Sequence, residues 1–250
     1  ICPFLIDDFF LEDVLSNKTK ITPKKINNEP KIGLVNGLYA TSGGLGGITI
    51  IQAKQTISDK KFGLEKLTGS QGDVMKESMA CAFTLASNLI NKEFRKNFEK
   101  DNENFGVHIH CPDGATPKDG PSAGLAITTC LISLITKIPI KNDIAMTGEV
   151  DLEGKAGEIG GLYSKIQGAL NAGVKCVLVP RNNEKDLDII FRKEEMEKES
   201  IKKSLCVRKV DSFLLLDKNS YCLMKDKRIF RNELEIILVD TIYDVLKYAL

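Results

Sequence analysis

Apolar residues recur along this chain with two different periods. Short runs of strand character occupy Ile32–Val35, Gly47–Ala53, Phe105–Cys111, Lys175–Pro180 and Leu234–Val239. A further run, Ile144–Leu152, reads as one arm of a hairpin turning at Glu153-Gly154. Between these lie segments of helical period. Val74, Ala82, Leu85 and Leu89, broadened by Met75, Met79 and Phe83, predict one amphipathic helix opened by Asp73. Leu162, Ile166, Ala169 and Leu170 form the stripe of another, and Thr241–Leu250 closes the chain as a third. Strands alternating with helices predict an α/β fold, α+β in its mixed sheets.

The intervening stretches are polar. Phe9–Leu15 is a short amphipathic piece, and Ser16–Lys31 is rich in lysine and asparagine, a composition expected to stay flexible, so the domain is expected to begin near Ile32. Lys92–Asn104 is charged and reads as a solvated helix end and loop. Charges dominate Phe191–Lys209, and Phe213–Met224 resembles a hairpin turning at Lys218-Asn219, so residues 191–233 read as a surface insertion.

Two glycine-rich stretches stand out. Thr41-Ser-Gly-Gly-Leu-Gly-Gly47 matches neither the P-loop nor the dinucleotide fingerprint, which leaves a tight turn or a close approach of backbones as its explanation. The second, Gly114-Ala-Thr-Pro-Lys-Asp-Gly-Pro-Ser-Ala-Gly124, runs directly into the apolar helical segment Leu125–Ile135. Pro121 suits the first turn of that helix, and Asp119 is a plausible N-cap before it. Ser122 then sits where unpaired backbone N–H groups and the helix dipole favour developing negative charge.

A serine nucleophile needs a base. Gly120-Pro-Ser-Ala-Gly124 matches the nucleophile-elbow pattern, but that fold places its histidine after the serine, and the only two histidines, His108 and His110, precede it. Both lie on one face of a strand, as a local base or as an ordinary polar pair. The other base that works with serine is an uncharged lysine, whose pKa must fall from about 10.4 to near 7 through burial. Lys165 lies at the edge of the 162–170 stripe, where it is either partly desolvated or a surface lysine with a buried stem.

Four separated motifs carry a resemblance: Pro117–Gly124, Met146-Thr-Gly-Glu149, Gly160-Gly-Leu-x-x-Lys165 and Val74-Met-Lys-Glu-Ser78. Together they resemble the proteolytic domain of the A-type Lon family, ATP-dependent Ser–Lys proteases, over about residues 30–190. The resemblance implies a ribosomal-S5-like fold, Ser122 as nucleophile and Lys165 as base. It also implies Thr147 as a group orienting the lysine, although a plain strand threonine is the alternative. Asp119 is a cap, or an off-switch that would raise the lysine pKa if it came close. Gly120, Pro121, Glu149 and His108 complete the supporting candidates.

In such a protein residues 1–31 link a preceding ATPase module to a protease domain at 32–250. ATP and magnesium are implied for that module, and no cofactor or metal is implied for this chain. The partners implied are unfolded or peptide substrates, and other copies in a homo-hexamer. The rival reading is a catalytically silent ring-assembly or regulatory domain. Departures from the family occur at Ser42 and Gly43, where members carry acidic or bulky residues, and at Tyr163 and Ser164, which replace a lysine and an acidic residue.

Composition adds exclusions. A net charge of +1 gives no sign of nucleic-acid or membrane affinity. The chain has 7 cysteines, several within apolar runs and none as C-x-x-C, which reads as reduced thiols in an intracellular compartment. No apolar run reaches membrane-spanning length. The start, Ile1-Cys-Pro-Phe, lacks a methionine and a signal-peptide pattern, so a fragment of a longer chain is expected. The lysine and asparagine bias leans toward the mitochondrial matrix, with bacterial cytoplasm as the alternative.

Overall fold

The computed structural model describes residues 24–59, 62–91, 98, 100, 104–112, 118–187, 189–190, 209–210, 227–230 and 234–250. Its strands are β1 (Leu34–Ala40), β2 (Gly46–Ile57), β3 (Gly63–Thr68), β4 (Phe105–His110), β5 (Ile144–Met146), β6 (Glu149–Val150), β7 (Ala156–Gly157), β8 (Cys176–Pro180), β9 (Lys209–Val210), β10 (Lys227–Phe230) and β11 (Leu234–Val239). Its helices are α1 (Asp73–Leu89), α2 (Gly124–Thr136), α3 (Leu162–Ala172) and α4 (Ile242–Ala249).

One mixed sheet runs in the order β3-β4-β2-β1-β5-β8-β11-β10-β9. Its centre, β1-β5-β8-β11, is parallel throughout. The fold is therefore mixed α/β, as the alternation of periods predicts.

Strict alternation along the central strands divides the apolar residues between two faces. On β8, Cys176 and Leu178 enter one core, while Val177 and Val179 enter the other. On β11, Ile237 and Val239 join the first, and Ile236 and Leu238 the second. The first core is closed by α1, α2 and α4, and the second by α3.

Helix α2 lies at the centre, with every residue from Gly124 to Ile135 buried. Two of its buried threonines are satisfied within the helix: Thr128 Oγ1 donates to the Gly124 carbonyl at 2.9 Å, and Thr129 Oγ1 to that of Leu125 at 2.8 Å. Back-bonding of this kind lets threonine replace an apolar residue without leaving an orphan.

Three expectations change. Val74 is 44% exposed, and the apolar face α1 buries is Met75, Met79, Ala82, Leu85 and Ala86. These follow at i+4, i+7, i+10 and i+11 from Met75, and Val74 falls just outside that arc. Ile144–Leu152 is not one hairpin arm. It breaks at Thr147-Gly148, leaving β5 in the main sheet and β6 paired with β7, around a turn closed by the Gly154 N–H on the Asp151 carbonyl. The lysine-rich stretch before Ile32 is docked from residue 24 onward, with Ile26 N–H donating to the Ala172 carbonyl and Lys31 bridging Ile140. Composition disfavours order there, yet backbone groups at the end of α3 give the segment partners.

In the stretch expected as an insertion, Val210 faces Lys227 and Lys209 faces Arg228 in an antiparallel register. The hairpin tip expected there, most of residues 191–233, the 9–15 piece and most of 92–104 lie outside the described residues. Among the described residues no helix is long and apolar enough to cross a membrane.

Because α2 is enclosed, truncating it should cost far more than trimming the exposed side of α1. Leu131→Ala is expected to lower unfolding stability by roughly 2–5 kcal/mol, and Val74→Ala by no more than about 0.5 kcal/mol. Denaturant unfolding followed by circular dichroism checks both.

Candidate functional site

The central parallel strands end together, and the candidate residues gather where they stop. After β5 the chain turns through Thr147-Gly148, with the Thr147 N–H donating to the Leu178 carbonyl of β8 at 3.2 Å. Gly148 then clamps the serine turn from both sides. Its N–H donates to the Ser122 carbonyl at 2.8 Å, and its carbonyl accepts from the Leu125 N–H at 3.0 Å. A Cβ at Gly148 would fall 2.3 Å from Leu125 Cδ1, so the contact needs glycine.

Ser122 lies in a 3-10 turn, Pro121–Ala123, that leads into α2. Gly120, at φ 122°, makes the sharp entry that other residues resist. Ser122 is half-buried, and its N–H sits in the first turn, where no intrahelical partner exists. Pro121 at the start of the turn sacrifices no needed donor.

Asp119 is placed differently from its expected role. It caps neither the 3-10 turn nor α2. Its Oδ1 accepts from the Met75 N–H at 2.9 Å, in the first turn of α1, and from its own neighbour Gly120 N–H at 2.9 Å. Asp119 thus satisfies an orphan donor of a helix 44 positions away and ties the serine loop to it. Gly72 makes room, since a Cβ there would lie 2.4 Å from the Asp119 carboxyl carbon.

Lys165 enters from α3 on the opposite face of the sheet. It is 4% exposed, so the reading of a surface lysine, which spacing alone leaves open, does not hold. Its Nζ donates to Thr147 Oγ1 at 3.0 Å, and Thr147 Oγ1 donates to the Ser122 carbonyl at 3.3 Å. One chain of hydrogen bonds therefore joins α3, the end of β5 and the serine turn. Nζ is bonded to Thr147 and not to the serine hydroxyl, and Ser122 Oγ makes no hydrogen bond among the described residues. Burial pulls the Lys165 pKa down from 10.5 to about 8. An amine so placed can act as a base at mildly alkaline pH.

The other candidates stand apart. His108 is on β4, three strand spacings from β5, roughly 14 Å across the sheet. Thr68 Oγ1 lies 2.7 Å from His108 Nε2 and 2.7 Å from His110 Nδ1, which makes the two histidines a polar pair on the face of β4 opposite the first core. Glu149 is exposed on β6, and the Lys165 shift arises from burial without a carboxylate contribution. The 113–117 part of the serine loop lies outside the described residues. Among those described, no cluster of three or more His, Cys, Asp or Glu side chains is placed to hold a metal ion.

Sequence reasoning missed the double role of Gly148, and the only signal for it was a glycine interrupting a strand. It also missed Ser78, whose Oγ donates to the Pro121 carbonyl at 3.4 Å.

Comparison with known proteins follows the same residues. Positions 6–211 match the model of the Lon protease (S16) C-terminal proteolytic domain. A Lon protease homolog of Acanthamoeba polyphaga mimivirus is 45% identical over 181 residues, covering 71% of this chain and 18% of the relative. The Lon protease of Trichlorobacter lovleyi is 46% identical over 186 residues, covering 74% and 22%. That of Fervidobacterium nodosum is 41% identical over 171 residues, covering 66% and 20%. The chain thus spans about a fifth of the length of these relatives.

The buried amine makes a prediction about stability. Its pKa is lower in the folded state than in the unfolded, so the unfolded chain holds the extra proton between pH 8 and 10.5. The penalty is complete below pH 8 and disappears as pH rises past 10.5. Lys165→Met should therefore raise unfolding stability at pH 7 by up to about 3 kcal/mol, with the gain vanishing near pH 11. Paired denaturant titrations across that range measure it.

Proposed function

This chain belongs to the Lon protease (S16) family, matched as its C-terminal proteolytic domain, and from that premise we propose that Ser122 is the nucleophile and Lys165 the general base of its reaction. It is a serine-type peptidase that hydrolyses peptide bonds. The observation that carries the assignment is the buried Lys165 amine, hydrogen-bonded to Thr147, whose hydroxyl meets the Ser122 turn.

In this reading neutral Lys165 removes the proton from Ser122 Oγ, which attacks the substrate carbonyl carbon. The Ser122 N–H, which has no intrahelical partner in the first turn, faces the oxyanion of the tetrahedral intermediate. Collapse breaks the C–N bond as the lysine ammonium gives its proton to the leaving amine. Water then attacks the acyl-enzyme, Lys165 takes its proton, and as the acyl C–O bond breaks the ammonium returns that proton to Ser122 Oγ. Ser122 Oγ surrenders no hydrogen bond to a described residue in turning toward the amine. Thr147 holds the amine in register through the ring of contacts that pins the end of β5. Asp119 and Gly148 act one step back, fixing the turn that carries the serine.

For the whole protein the proposal is an ATP-dependent machine that degrades misfolded or regulatory proteins. ATP and magnesium would be used by an ATPase module, and a homo-hexameric ring would enclose the site. Among the described residues Cys81, Cys111 and Cys130 are free thiols, the last two buried, which suits a reducing compartment. The mitochondrial matrix and the bacterial cytoplasm are the two settings proposed.

Turnover of a fluorogenic peptide, with intact mass after a serine-reactive fluorophosphonate, tests the assignment. Wild type should gain one adduct, and Ser122→Ala none, with turnover reduced at least about 1000-fold. Lys165→Arg should lose at least about 100-fold, because a guanidinium stays protonated. Turnover by Ser122→Ala near the wild-type rate would overturn the assignment. A wild type that neither turns over nor labels would favour the silent ring-assembly reading.

A further inference from the structure

Lys165 owes its burial to a contact made by other residues of its helix. Gly168, inside α3, lies directly on the start of β2. A Cβ on Gly168 would fall 2.2 Å from the Gly47 nitrogen and 2.4 Å from the Gly46 carbonyl carbon. From the other side, a Cβ on Gly46 would fall 1.8 Å from the Ser164 carbonyl oxygen and 3.0 Å from the Lys165 nitrogen. Helix and strand therefore touch backbone to backbone on both sides of Lys165, one residue before it and three after. Glycine weakens a helix interior relative to alanine, and Gly168 has no left-handed φ that would demand it. The close approach is what demands it. The loop joining β1 to β2 is tied to the same helix, since Ser164 Oγ donates to the Gly44 carbonyl at 2.8 Å.

We propose that Gly168, seated on Gly46 and Gly47, is a positioning residue that sets the depth of the Lys165 amine, with Ser164 as its latch. The proposal rests on the assignment of Lys165 as base. Interior packing transmits displacement, so a methyl group at Gly168 pushes α3 off β2. The amine then recedes from Thr147 and water reaches it. A shift of about 1 Å at such a distance is enough to cost two orders of magnitude in rate. Titratable groups on the elements packed against α3 include Tyr39 on β1, Lys54 on β2, Cys176 on β8, Glu235 on β11, Lys25 beside Asn171 and Asp186 beside Asn183, with Glu149 beyond β5. The depression of the Lys165 pKa comes from burial and from none of these charges, so it responds to the depth of the helix.

The test is the pH dependence of peptide turnover in wild type, Gly168→Ala, Ser164→Ala and Lys165→Met. A general base works only when neutral, so rate falls below its pKa. As the amine becomes hydrated its pKa rises toward the ordinary lysine value, and the loss deepens at low pH. Gly168→Ala should move the acid limb up by about one unit, lower kcat about tenfold or more at pH 7, and recover as pH rises. KM should change less than about twofold, because uniform binding is untouched. Ser164→Ala adds no atom, and should show the same pattern at about threefold, which keeps the test open if Gly168→Ala fails to fold. A folded Gly168→Ala with the wild-type profile, or with a loss equal at every pH, would overturn the proposal, as would Ser164→Ala with an unmoved acid limb. Lys165→Met separates the two levels. If it retains turnover, the base assignment fails. If it is inactive while the glycine and serine variants keep the wild-type profile, only the positioning role fails.

Discussion

One amine without an anion beside it sets the terms for this domain. Lys165 is enclosed between α3 and the sheet with a threonine hydroxyl as its hydrogen-bond partner. Burying a cation in that way costs several kcal/mol, and proteins resolve the cost by releasing the proton. The two cores on either face of the sheet supply the stability that tolerates it. The neighbourhood also withholds what would undo the effect. Asp119, the carboxylate nearest in sequence to the serine, is occupied with the backbone of α1, and Glu149 faces solvent.

The location follows from topology. In a sheet whose central strands are parallel, the carboxyl ends lie on one side, and chain leaving them must splay to reach the covering helices. Here β5 ends at Met146, and Thr147 and Gly148 carry the chain away from the sheet. The serine turn arrives from one face through α2, and the lysine arrives from the other through α3. Thr147 bridges the two faces and is itself held by β8. The arrangement has no slack, because Gly148, Gly46 and Gly168 each fill a place where a single methyl group would strike an atom of another element.

Much of this was legible in the sequence and some was not, for identifiable reasons. The run from Pro121 to Ile135 announced a turn followed by a buried helix, because proline and glycine are local punctuation and a helix apolar on all sides belongs inside. The apolar runs Cys176–Pro180 and Leu234–Val239 likewise announced strands, but which residue faces which core was not legible in them. Lys165 was ambiguous, since its helix packs against a hairpin some 120 positions earlier in the chain, and helical periodicity contains no information about that contact. Asp119 looked like a local cap because local hydrogen bonds are all that a sequence window can score, yet its partner is 44 residues away. The break at Thr147-Gly148 was hidden by apolar neighbours that favoured an uninterrupted strand. Residues 24–31 looked too polar to be ordered, and backbone partners on α3 and before β5 decided otherwise.

Everything distinctive in this account comes down to the charge of one nitrogen. Carbon-13 labelling of the lysine side chains, with Lys165→Met to assign the resonance, lets the Lys165 Cε signal be followed through a pH titration. The account predicts a midpoint near 8, well below the 10.5 of an ordinary lysine. A Lys165 midpoint at or above 10 in the folded protein would show a fully charged ammonium at neutral pH, and would contradict it.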